Sequence, residues 1–219
     1  MKKSFSVGCV IMASGLSRRF GANKLLADFC GQPMLCRAFD ATATPGIAAR
    51  IVVTRSEEVQ ALCRAHSVPV LLHSLPGRND TVRLGLSALL EQKPELSGCM
   101  FLPGDQPLLR RETVEAMTER FCQERPYPAE WQKETEREIF RLGAVADNDP
   151  TPLVGSPVLF GSSFFSELLT LPENKGGNVL LKKYPAQVRT ICIADSAELL
   201  DADTPEVLQQ LETIARQKG

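Results

Sequence analysis

The chain has 219 residues, 43% of them hydrophobic, and its 25 Lys and Arg against 26 Asp and Glu leave a net charge of −1. That length suits a single domain, 1–219, around one well-buried core, and the composition excludes a disordered or fibrous chain. The near-neutral balance excludes nucleic acid as the main partner, since affinity for it rests on neutralising many phosphates, and no stretch is long enough to read as a membrane span.

Seven cysteines stand at 9, 30, 36, 63, 99, 122 and 192 with no C-x-x-C pair. An odd number scattered through apolar runs reads as reduced, mostly buried thiols in a cytoplasmic protein rather than as disulfides or a metal cluster. Lys2 and Lys3 precede an apolar run, as in a signal peptide. The run opens straight into Arg18 and Arg19 without a processing site, so it reads as the first strand.

That strand is Val7 to Met12, apolar almost without a break and so suited to burial on both faces of a sheet. It stops at a loop of glycines (Gly15, Gly21), hydroxyls (Ser14, Ser17) and cations (Arg18, Arg19, Lys24). The spacing is neither a Walker pattern nor GxGxxG. By residue type alone two uses stay open: a strand-to-helix turn with solvated cations, or a seat for a polyanion such as a nucleoside triphosphate.

Helical spacing follows from Met34 to Ala41 and ends at Pro45-Gly46; Ile51 to Thr54 is a second buried strand, Glu57 to His66 a helix, and Val68 to Leu72 a third strand. This alternation predicts an α/β fold with a mostly parallel sheet and helices on both faces. His66 and His73 lack ligand-spaced neighbours and take no chemistry. Leu75 to Thr81 is a polar loop before a helix through Val82 to Leu90; Asp80 caps that helix, or Gly77 to Thr81 brings backbone groups against a nucleobase.

Cys99 to Leu102 is a fourth buried run, ending in Pro103-Gly104-Asp105-Gln106-Pro107. Asp105 is either a turn residue or, at the sheet edge that carries the first loop, an oxygen ligand for a hard cation bridging phosphates. Thr113 to Cys122 is helical. Residues 125–153, with Pro126, Pro128, Pro150, a charged run and poor periodicity, read as an irregular surface insert. Strand Gly155 to Phe160, a helix from Phe164 to Leu169, a Gly176-Gly177 loop before a short helix, strand Val188 to Ile193 and a final helix after Thr204-Pro205 complete the chain. Thr204-Pro205 is a good cap and first-turn pair, in which Asp203 favours the helix dipole.

Several of these stretches resemble one family. GLSRRFGANK (15–24) is similar to the G-x-S-x-R-[hydrophobic]-G-x-x-K loop of the nucleotidyltransferases that attach a nucleotide to the molybdenum cofactor, with Met12-Ala13-Ser14-Gly15 against the family's Leu-Ala-Ala-Gly. Gly77, Thr81 and Val82 match its Gly-x-x-x-Ser-[Leu/Val] stretch with Thr for Ser, GDQP (104–107) its magnesium site, Gly155-Ser156-Pro157 its Gly-x-Pro strand, and Asp201-Ala-Asp203-Thr-Pro its D-x-D-T-P signature. Glu173-Asn174-Lys175-Gly176 stands where the family has Gly-Asp-x-Gly, and the likeness lapses over 125–153.

The resemblance implies a Rossmann-like three-layer α/β/α sandwich of the nucleotide-diphospho-sugar transferase type. It implies Mg2+ on Asp105 and Asp203, and nucleotide binding by Ala13, Ser14, Gly15, Ser17, Arg19, Lys24, Gly77 and Thr81. Arg19, Lys24 and Asp105 become the catalytic set, and Gly155, Pro157 and Gly176 the second-substrate set. The implied reaction moves CMP from CTP onto the terminal phosphate of the molybdenum–molybdopterin cofactor and releases pyrophosphate, with a molybdoenzyme as a further partner. Guanylyl transfer from GTP to the same cofactor, a sugar-1-phosphate nucleotidyltransferase and a non-catalytic cofactor-delivery protein stay open beside it. The cationic turn and Asp105 are expected to face each other across a gap sized for a metal-bound triphosphate.

Overall fold

The computed structural model describes residues 5–15, 20–123, 138–146 and 149–218, with only the backbone described at 145, 146 and 149–152. Its centre is a seven-stranded sheet: β1 (Val7–Ala13), β4 (Ile47–Thr54), β5 (Val70–Leu72), β6 (Gly98–Pro103), β7 (Ile139–Ala146), β8 (Asp149–Gly161) and β9 (Val188–Ile193). The order is β5-β4-β1-β6-β8-β7-β9, and β8 alone among these seven runs against the rest. A small hairpin, β2 (Asp28–Phe29) and β3 (Gln32–Pro33), stands apart from it. Its two-residue turn, Cys30-Gly31, has φ of 52° and 89°, the positive pair a tight hairpin needs.

The central strands β1 and β6 are buried on both faces, which is why they read as continuous apolar runs. Val7, Cys9, Ile11 and Ala13 of β1 go to one core with Met100 and Leu102 of β6, while Val10, Cys99 and Phe101 go to the other. The first core is closed by α1 (Leu35–Ala41), α2 (Glu57–Ala65), α4 (Arg111–Gln123) and α7 (Pro205–Lys218); the second by α3 (Arg78–Gln92), α5 (Phe165–Leu169) and α6 (Asn178–Lys183). The result is a layered Rossmann-like α/β fold with a mostly parallel sheet, as expected.

Two expectations need correction. Residues 139–146 and 149–153 are not irregular: they form most of a β-hairpin inside the sheet, with Phe140, Leu142 and Ala144 fully buried in the first core. The parts of that segment at 125–137 and 147–148 lie outside the described residues. Helix α3 also begins at Arg78, four residues before the expected start, because the Asp80 carboxylate reaches back to accept from the Gly77 N–H at 3.0 Å and so caps the first turn.

After β1 the chain turns one way to β4 and β5, then crosses back through α3 to β6 on the other side of β1. The carboxyl ends of β1 and β6 therefore flank the point where the winding reverses, which is where an open α/β sheet leaves a crevice.

Candidate active site

A cleft of about 740 Å³ occupies that crevice. Met12 pairs with Pro103 in register, and the Gly104 N–H donates to the Met12 carbonyl at 3.0 Å, so the loop after β1 and the loop carrying Asp105 leave the sheet side by side. Gly104 fits closely there: a Cβ would lie 2.8 Å from Leu35 Cδ1 and 3.3 Å from the Met12 carbonyl oxygen. A Cβ on Gly15 would meet nothing within 4 Å, so this residue opens directly onto the cleft.

Lys24 starts a single 3-10 turn, Lys24–Leu26, capped by the Asn23 side chain, which accepts from the Leu25 N–H. The turn aims the Lys24 ammonium at two carboxylates, Asp105 Oδ2 at 2.5 Å and Asp203 Oδ1 at 2.9 Å. Desolvation pulls the ammonium pKa down, and the two carboxylates more than offset it, so the group sits above the ordinary lysine value and stays charged. The expected gap between Lys24 and Asp105 is thus closed: the groups adjoin. Asp203 reaches the same spot although its loop also caps a helix, through the Val207 N–H donating to Thr204 Oγ1 at 3.3 Å.

Asp201 stands beside them. Desolvation of its carboxyl, then repulsion from Asp105, push it up to about 6. The donor set fits a hard divalent cation, because Asp105 and Asp203 already share one positive charge through their oxygens. Among the described residues no group of three or more His, Cys, Asp or Glu is placed to hold a metal alone. Such a cation would therefore complete its shell with water and phosphate oxygens, the usual habit of Mg2+.

Of the expected site residues, Ser14, Gly15, Lys24, Gly77, Thr81, Asp105, Gly176 and Asp203 all line the cleft. Ala13 ends β1 just beneath it, its carbonyl accepting from Thr54 Oγ1 at 3.1 Å. Gly155 and Pro157 do not line it. On strand β8 alternate residues face opposite ways, so Ser156, Val158 and Phe160 take the cleft side while Gly155 packs toward Leu199. Ser17 and Arg19 lie outside the described residues.

Sequence reasoning missed Arg55, Arg78, Asn174, Asn178 and Asp201, which also line the cleft. Arg55 follows the carboxyl end of β4, a place where a ligand-facing residue is to be sought in this kind of sheet. Its guanidinium donates to the Ser14 carbonyl, with Nε at 2.9 Å, and the Ser14 hydroxyl donates to the Val53 carbonyl at 3.0 Å. His73, read as chemically idle, is 2.9 Å from the Ser14 hydroxyl through Nε2, while its Nδ1 is buried without a partner. Desolvation, with Arg55 and Arg83, holds its pKa below the ordinary value, so the ring is neutral at pH 7. The start of the loop is therefore fixed from two sides.

The fold recurs across solved structures. Rv0371c from Mycobacterium tuberculosis H37Rv superposes with a TM-score of 0.76 at 22% identity over 96% of this chain and 99% of that one. Its manganese complex gives a TM-score of 0.69 at 20% identity, over 95% and 98%. CMP:2-keto-3-deoxy-manno-octonic acid synthetase complexed with CTP gives 0.73 at 16% identity, over 98% and 100%. A curated relative, 3-deoxy-manno-octulosonate cytidylyltransferase of Neisseria meningitidis serogroup C, is 33% identical over 97 residues, 44% of this chain and 38% of its own length. The chain thus spans well under half of that relative. The sequence profile of the MobA-like NTP transferase domain matches residues 9–188, and the chain belongs to that family.

Proposed function

We propose that the protein is a nucleotidyltransferase that moves a CMP unit from CTP onto an acceptor oxygen and releases pyrophosphate. The observation that carries this reading is the meeting of the Ser14-Gly15 loop, Lys24 and the Asp105/Asp203 pair in one cleft at the winding reversal of the sheet. The nucleophile belongs to the acceptor, so the chain needs no Ser, Cys or His nucleophile of its own. Its work is alignment and charge neutralisation.

Ser14 and Gly15 offer backbone donors to the nucleotide above Ala13, with Ser17 and Arg19 completing the same loop, and Gly77 and Thr81 stand at the amino end of α3, where anions are favoured. Lys24 exchanges its carboxylate partners for phosphate oxygens when the triphosphate arrives, which places its charge beside the departing pyrophosphate. Asp105 and Asp203 would hold Mg2+, which supplies positive charge against the phosphate oxygens. Gly176 and Ser156, on the far wall, face the acceptor.

CTP as donor is supported by the cytidylyltransferase relative and by the likeness to the CTP-bound synthetase. For the acceptor, the loop and D-x-D-T-P motifs favour the terminal phosphate of the molybdenum–molybdopterin cofactor, with a molybdoenzyme receiving the product in the cytoplasm. A second reading, a sugar-acid acceptor, is favoured by the octulosonate cytidylyltransferase relative. Pyrophosphate release is to be measured with CTP, GTP, ATP and UTP, with Mg2+, and with molybdenum cofactor or 3-deoxy-manno-octulosonate as acceptor. CTP-dependent release with the molybdenum cofactor is expected. Release only with the sugar acid selects the second reading, and no release with any nucleotide overturns both in favour of a cofactor-delivery protein.

A further inference from the structure

The two carboxylates at Lys24 come from loops far apart in the chain, and the structure shows what ties those loops together. The Ala202 N–H donates to the Asp105 carbonyl at 2.9 Å, and Gln106 Nε2 donates to the Leu199 carbonyl at 3.4 Å. Behind them lies Glu198, at 0% exposure, in the short 3-10 turn Ser196–Leu199 that leads into Asp201-Ala202-Asp203. Its carboxylate accepts from the start of α4, the helix that follows the Asp105 loop. The donors are Arg110 Nε at 2.9 Å, Arg110 Nη2 at 2.7 Å, the Arg110 N–H at 3.1 Å and the Thr113 hydroxyl at 2.5 Å.

A carboxylate so deeply buried is a poor device for stability alone, because desolvation of the charge offsets much of what its partners return. What it does supply is geometry: several directional bonds at one point, between the segments that carry the two acids. Glu198, Arg110 and Thr113 do not line the cleft, so none of them touches a ligand there. We propose that Glu198 is a positioning residue, clamping the 201–203 loop against the 104–107 loop so that Asp105 and Asp203 present their oxygens to a single divalent cation. This rests on the reading of that pair as the cation site.

The test measures Mn2+ binding to the full chain by the loss of the free-ion EPR signal beyond that caused by the same concentration of non-hydrolysable CTP analogue without protein, the analogue being saturating for the chain. Binding of the same analogue in EDTA is followed in parallel. Wild type is expected to bind Mn2+, Asp203→Asn to lose most of that affinity, and Glu198→Gln, which acts through the loops and touches neither aspartate, to weaken it about tenfold, the low end of what displaced ligand orientation costs. Analogue binding in EDTA should not change in Glu198→Gln. A folded Glu198→Gln protein with wild-type Mn2+ affinity overturns the clamp while leaving the cation site standing. Wild type that binds no Mn2+ overturns both. Should Glu198→Gln not fold, Thr113→Val removes one bond to the same carboxylate at nearly constant shape; a loss of about three- to fivefold is expected, and none overturns the proposal.

Discussion

Lys24 sets one positive charge against two carboxylates, and its removal has two separable effects. Lys24→Ala leaves Asp105 and Asp203 facing each other and removes the positive charge available to the leaving group. Turnover with CTP is expected to fall about 10²- to 10³-fold, the scale for losing one preorganised charge-stabilising group, with the circular dichroism spectrum unchanged. A rate within a factor of three of wild type would remove Lys24 from the reaction. His73 makes a different prediction. Its pKa is depressed in the fold, so between that value and the ordinary 6.5 the unfolded chain binds more protons than the native one. Its contribution to stability is therefore present above about pH 6.5 and lost as pH falls below it. Urea denaturation at pH 7, 6 and 5 should show a shallower pH dependence for His73→Asn than for wild type.

Residue type and spacing sufficed to single out Lys24 and Asp105, because an abrupt change from apolar run to charged loop marks the end of a buried strand. They did not single out Arg55 or His73. Each is an ordinary polar residue after an apolar run, and its partner, Ser14, is brought to it only by strand pairing.

At the level of elements, the helices and the central strands were legible because their periodicities are undiluted. The β7/β8 hairpin was not. Up to Leu153, the prolines, the charged run and the poor periodicity read as an irregular insert, yet Phe140, Leu142 and Ala144 alternate as a half-buried strand should. Prolines are tolerated in a strand at bulges and where a ladder bond is not required, and the ladder between β7 and β8 does shift register after Arg141 and after Ala144. Close packing of elements gives a further test at Gly85. A Cβ there would fall 2.5 Å from Val10 Cγ1 and 3.0 Å from Val53 Cγ2, so α3 lies against β1 and β4 with no room to spare. Gly85→Val is expected to lower unfolding stability by about 1–3 kcal/mol by overpacking, read from chemical denaturation.

Taken whole, the molecule places its cleft by winding alone: helices cover both faces of the sheet, and the reversal between β1 and β6 leaves one edge open. A ligand bound there contacts the loop after β1, α3, the Asp105 loop and β8 at once, so its binding is reported by the entire fold. CTP with Mg2+ at a hundredfold excess over its dissociation constant should stabilise the protein by about 2.7 kcal/mol, and raise the melting temperature by roughly 5–10 °C for a chain of this size. GTP giving the larger shift would reverse the donor assignment.

Strand β8 pairs with β6 only through its last residues, Val158 to Gly161, while its earlier residues run on past the point where β6 ends. The reversed strand therefore rises above the sheet as a parapet beside the cleft, supported from behind by β7. Its height depends on the length of a hairpin, whereas the loops that carry Lys24 and Asp105 leave from β1 and β6, and the turn before Asp203 meets β8 only near its foot, at Gly155. Lengthening or trimming that parapet would reshape the chamber for the incoming acceptor and leave the chemistry at its foot undisturbed, a route by which one phosphate-handling floor can serve molecules of quite different size.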